Sequence, residues 1–112
     1  MPALHAVAYF FGGAFVTNAI PHFVSGVMGR PFQSPFANPP GKGLSSSTVN
    51  VLWGCFNLAA GYALICQVGG FDVRVPGDAI AAGLGVLGMG LLMARIFGKL
   101  HGGNIPKETH SI

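Results

Sequence analysis

Four polar side chains stand in stretches that are otherwise apolar: Asn18 and His22 in one, Asn50 and Asn57 in another. Asn18 and His22 are four residues apart and Asn50 and Asn57 are seven apart, so on helices each pair shares one face. Gly54 and Gly61 extend the second stripe. A carboxamide both donates and accepts, and an imidazole presents a ring nitrogen that can accept, donate or ligate a metal. Uncharged polar groups in lipid find partners across helices, so Asn18 and His22 are expected to face Asn50 or Asn57. One reading of the cluster is interhelical hydrogen bonding. The other is a site, because ionisable groups deep in a membrane mark function, and His22 is the one such group here. Its nitrogen could hold a haem iron or the magnesium of a chlorophyll-type pigment. His5 cannot reach the same ring, being about 25 Å away along a helix. No metal-ligand cluster is present, so no other metal site is expected.

Residues suited to catalysis are missing from the apolar stretches, which contain no carboxylate and no nucleophile beside a base. Two motif matches fail on context. GLGVLG at 83–88 spells G-x-G-x-x-G, but it lies within an uncharged run with no strand before it. GKG at 41–43 lacks the first glycine and the Ser or Thr of a phosphate-binding loop, with Phe36 and Gly43 at those places. Neither a nucleotide nor a nucleic acid is an expected partner, and the chain does not read as an enzyme.

The elements that carry the polar residues follow from composition. The chain is 51% hydrophobic and 8% charged over 112 residues, against about 25% charged in soluble domains. Ala3–Met28 carries no acidic or basic residue but His5 and His22, and Thr48–Gly70 and Ala79–Ala94 carry none. Each approaches the roughly 20 residues that cross a bilayer as a helix. The expected fold is therefore an all-α membrane protein of three transmembrane helices, at about 3–27, 47–69 and 77–98. A proline-rich loop at 29–46 and a tail at 99–112 complete it. The first segment, MPALHAVAYFF, lacks the basic start of a signal peptide and is expected to stay as a span. Arg30 and Lys42 lie in the first connection and Arg95, Lys99 and Lys107 at or beyond the third helix, leaving Arg74 alone in the second. The positive-inside rule then places the N-terminus outside and the C-terminus in the cytoplasm.

Pro21 should kink or end the first helix and free the Thr17 carbonyl, with Thr17, Asn18 and His22 near enough to satisfy it. After it, GRPFQSPFANPPGKG cannot form a regular helix. Phe32 and Phe36 are expected as anchors at the headgroup level or against a partner, with Arg30 and Lys42 beside lipid phosphates. A serine of LSSST should cap the second helix. In the third, Ala81, Gly85 and Gly88 share one face and Gly83, Gly90 and Ala94 another, which implies a helix held between neighbours. Cys55 and Cys66 stand about 16 Å apart along one helix, too far for a disulfide, and read as small buried residues. His5, His101 and His110 read as interfacial or solvated, and Trp53, Tyr9 and Tyr62 as anchors or packing residues.

The block IPHF…GRPF…PFANPPGKGLSS…NVLWG, over residues 20–54, resembles a pattern in small bacterial inner-membrane proteins without an assigned function. The resemblance implies an integral protein of the bacterial inner (cytoplasmic) membrane with a recurring loop, and carries over no site residue. The functional expectation is a non-catalytic accessory or structural subunit, with the lipid bilayer and other membrane protein subunits as partners. The alternatives are a homo-oligomeric small transporter or channel lined by Asn18, Asn50 and Asn57, and a haem or chlorophyll-type cofactor anchor using His22.

Overall fold

A computed structural model describes residues 2–105. Helix α1 spans Ala3–Val27, strand β1 Phe32–Gln33, strand β2 Leu44–Ser45, helix α2 Ser47–Cys66 and helix α3 Pro76–His101. All three helices are long and apolar enough to cross a membrane. The 20 residues of α2 rise about 30 Å, the thickness of a bilayer's hydrocarbon core. This is the architecture of an integral membrane protein.

Helix α1 is the centre of the molecule. It packs against both α2 and α3, whereas α2 and α3 do not pack as a pair. The expectation that the third helix is held between neighbours is thus corrected within this chain: α1 is the helix held on two sides. Small residues make this arrangement possible. A Cβ at Gly54 would stand 2.8 Å from the Cβ of Phe23, and one at Gly61 would stand 3.0 Å from the Gly12 carbonyl oxygen. On the other flank, a Cβ at Gly85 would collide with the Phe10 carbonyl, and one at Gly13 with that of Ala82. The buried apolar side chains are Ala8, Tyr9, Ala14 and Ala19, while Leu4, Leu52 and Leu91 are more than 60% exposed. A soluble domain would bury its large apolar residues. Here close backbone approach fills the interior and the large side chains face outward, the pattern expected of lipid contact.

Gly85 alone of the six small residues singled out in α3 forms the tight contact with α1. Gly88 and Gly90 stand at van der Waals range from Phe10 and Thr17, and nothing lies within 4 Å of a Cβ at Gly83. Ala81 is half-buried, and Ala94 is exposed beside the α1–α3 groove. GLGVLG sits inside α3, with no strand before it.

Pro21 lies within α1, which continues to Val27. The side chains expected to satisfy the Thr17 carbonyl bond elsewhere: the Thr17 hydroxyl donates to the Gly13 carbonyl at 2.9 Å, and Asn18 and His22 turn to α2. Helix α2 ends at Cys66, three residues before the expected 69, and Gln67 closes it by donating its amide to the Ala63 carbonyl. Asp72 and Asp78 then shape the 67–75 link through backbone amides, Asp78 accepting from Asp72 N at 3.0 Å and Asp72 from Arg74 N at 2.9 Å. Helix α3 starts at Pro76 and ends at Gly102, whose φ of 78° is the left-handed cap that glycine adopts without a Cβ clash. Cys55 and Cys66 are free and exposed, not buried. The expectations for Lys107 and His110 fall outside the described residues.

The α1–α3 contact is tested by contrast. Gly85→Ala should destabilise the protein by about 1–3 kcal/mol, the usual range for overpacking. Gly83→Ala should be neutral or stabilise by up to about 1 kcal/mol through helix propensity. Unfolding in mixed micelles would measure both.

Candidate functional site: a polar node beneath a two-stranded hairpin

The proline-rich loop is a small hairpin. Phe32 pairs with Ser45 and Gln33 with Leu44, antiparallel. Ser34, fully buried, holds the turn together. Its carbonyl accepts from Gly41 N at 2.9 Å, and its hydroxyl accepts from Phe36 N at 3.1 Å and pairs with the Ser45 hydroxyl. Ser46 is the N-cap of α2, its hydroxyl accepting from Val49 N at 3.2 Å.

One turn into α2, Asn50 is wholly enclosed. Its amide nitrogen is surrounded by three carbonyls: Phe32 O at 3.1 Å, Ser45 O at 3.2 Å and Ser46 O at 3.0 Å. That surrounding fixes the orientation of the carboxamide, because a flipped amide would set its oxygen against three other oxygens. Asn50 Oδ1 therefore faces His22 Nδ1, 2.8 Å away. An oxygen can only accept, so His22 Nδ1 carries the proton and donates. In the neutral imidazole the lone pair then resides on Nε2. Among the described residues, no carboxylate is in hydrogen-bond contact with His22 that would offset a buried positive charge.

The second pair follows the same logic further from the hairpin, one turn along α1 and two along α2. Asn57 Nδ2 donates to the Trp53 carbonyl at 2.8 Å, so its oxygen is free to accept from Asn18 Nδ2 at 3.0 Å. Asn57 is also wholly enclosed. Asn50 and Asn57 therefore do not line an open passage through the chain.

Aromatic rings surround the node. Phe32 projects inward, its centroid 5.4 Å from His22, 4.9 Å from Phe97 and 5.5 Å from His101. The expectation that it anchors at the headgroup level with Phe36 is corrected, because Phe32 is half-buried between the helices. Phe36 does project outward at 66% exposure, as do Arg30 and Lys42. His101 is not simply solvated, since its Nε2 lies 3.0 Å from Gln33 Oε1 and joins the end of α3 to β1. Tyr9, at the opposite end of α1, is buried edge-on to Phe71.

Between the node and the hairpin is an open cavity of about 390 Å³, with Asn18, His22, Gln33, Ser34, Trp53 and Phe97 among its walls. Sequence reasoning missed Gln33, Ser34 and Phe97 here. The available signal was the NPPG turn between FQ and LS, since Asn-Pro and Pro-Gly steps mark chain reversals. Among the described residues, no group of three or more His, Cys, Asp or Glu could hold a metal ion.

The chain matches no protein-family model, no curated protein and no solved structure. Function must then be argued from the site and the surfaces.

Replacing Asn57 by Leu leaves Asn18 Nδ2 without its partner and should cost about 1–3 kcal/mol. A double-mutant cycle of Asn18→Leu with Asn57→Leu should show a coupling near 0.6 kcal/mol, the usual size of such bonds in membranes.

Proposed function

We propose that the protein is a non-catalytic subunit of a larger membrane protein complex, docking through the free face of α3 and the outward side of the hairpin. The observation that carries this reading is the state of α3. In the most apolar stretch of each helix, 6% of residues are buried in α3, against 33% in α1 and 22% in α2. Gly83 faces open space there, at a cost to the helix of up to about 1 kcal/mol relative to Ala. A glycine with no neighbour among the described residues fits a second helix approaching closely. Phe36, Arg30 and Lys42 project from the hairpin at the same end as the α3 C-terminus, which His101 ties to Gln33. Arg30, Lys42, Arg95 and Lys99 belong to that end and Arg74 to the other, which supports a cytoplasmic placement for it and an external N-terminus. The bacterial inner membrane is the proposed location.

The mass of the gently solubilised particle, with its polypeptides identified, tests this. Other chains in fixed ratio are expected, and Gly83→Leu should release them without lowering the melting temperature of the chain itself. A particle made of copies of this chain alone would overturn the proposal and favour a self-assembled transporter.

A further inference from the structure

The cavity beneath the hairpin has a chemical polarity that the helix packing does not use. Orientation of Asn50 leaves the His22 lone pair on Nε2, and no group among the described residues hydrogen-bonds to that atom. It is also not one of the fully enclosed, unpartnered atoms, the single example among the described residues being Trp53 Nε1. His22 is 3% exposed and lines the cavity, so we assign its Nε2 acceptor to that wall. One helical turn away, Asn18 Nδ2 is committed to Asn57, which leaves Asn18 Oδ1 as a second acceptor at the same cavity. Two uncharged acceptors on adjacent turns of α1, with the Gln33 amide nitrogen as a donor on the hairpin wall, suit a ligand whose hydroxyl can both donate and accept.

The walls narrow the class further. They include no carboxylate, and the charged residues nearest in sequence, Arg30, Lys42, Arg95 and Lys99, are all cations, so a protonated amine is disfavoured. The rest of the lining includes the polar Gln33 and Ser34 of the hairpin and the apolar faces of Trp53, Phe97, Pro35 and Pro40, which suits a flat body with a polar edge. A volume of about 390 Å³ lies near the lower end for small-molecule sites. It has room for one substituted six-membered ring. Ile96 of α3, exposed on the outer surface, forms part of the rim, so a ligand dissolved in the bilayer reaches the opening directly.

We infer that the cavity binds a neutral, membrane-soluble hydroxylated aromatic ring, a phenol or hydroquinone head group, whose O–H donates to His22 Nε2 while Asn18 Oδ1 accepts from a second donor where one is present. This assignment is independent of the subunit reading and holds whether the chain works alone or in a complex.

Trp53 is the single tryptophan of the chain and lines the cavity, so its fluorescence reports occupancy. The full-length protein in lipid nanodiscs would be titrated with 4-hexylphenol and, in parallel, with 4-hexylanisole, the same molecule with its hydroxyl methylated. The expected result is saturable quenching by the phenol and binding of the anisole that is about fivefold weaker or more, the factor for loss of one net hydrogen bond. With ¹⁵N-histidine labelling, the phenol should also move the His22 Nε2 resonance from the unbonded pyridine-type position toward the hydrogen-bonded one. Equal behaviour of the two compounds would mean partition into lipid or a water-filled cavity and would overturn the inference. So would a His22 Nε2 resonance that stays in place, or one already protonated without ligand.

Discussion

The carboxamide of Asn50 makes hydrogen bonds to both strands of the hairpin, to the cap of α2 and to the imidazole of α1. Two N–H bonds are shared among three carbonyls, and the oxygen takes the His22 proton. In a hydrocarbon environment every one of those backbone carbonyls needs a donor. The hairpin is too short to be stable alone, since two-stranded ribbons are marginal even when longer. Its position over the helices follows from the amide that bridges it, assisted by Phe32 among the rings of His22, Phe97 and His101. The same amide sets the tautomer of His22. A structural interaction therefore also determines which atom the cavity presents.

Packing around this node depends on small residues on both flanks of α1. Gly54 and Gly61 bring α2 close enough for Asn57 to reach Asn18, and Gly85 brings α3 close enough for Phe97 to meet Phe32 and His22. Lipid supplies no hydrophobic drive between helices, so van der Waals contact and interhelical hydrogen bonds carry the association. The interior holds alanine, glycine and asparagine, and the exterior holds leucine, valine and phenylalanine.

The spans were legible in the sequence because an uncharged run of about 20 residues has few other readings. The stripes Asn18–His22 and Asn50–Asn57 were legible because helical periodicity fixes faces, and in lipid polar faces must meet. Periodicity could not say which of several glycines touches a neighbour. Gly83 and Gly85 are indistinguishable until the crossing of α1 and α3 is known, and that crossing depends on both surfaces together. The course of α1 through Pro21 was likewise open, since a proline in a membrane helix either bends it or stops it. Phe32 was misplaced because a proline-rich segment reads as surface, and two-residue strands leave almost no alternation to detect. Cys55 and Cys66 were misplaced because small residues turn inward in water, whereas an exposed thiol in a span meets lipid.

Hydrogen exchange of the full-length protein in nanodiscs, compared between the wild type and Asn50→Ala, tests most directly whether this one amide holds the hairpin on the helices. The account predicts that amides of residues 32–45 lose protection in the variant while those of the α1–α3 contact around Gly85 keep theirs. Unchanged protection across 32–45 would contradict it and show that the hairpin is held by other means.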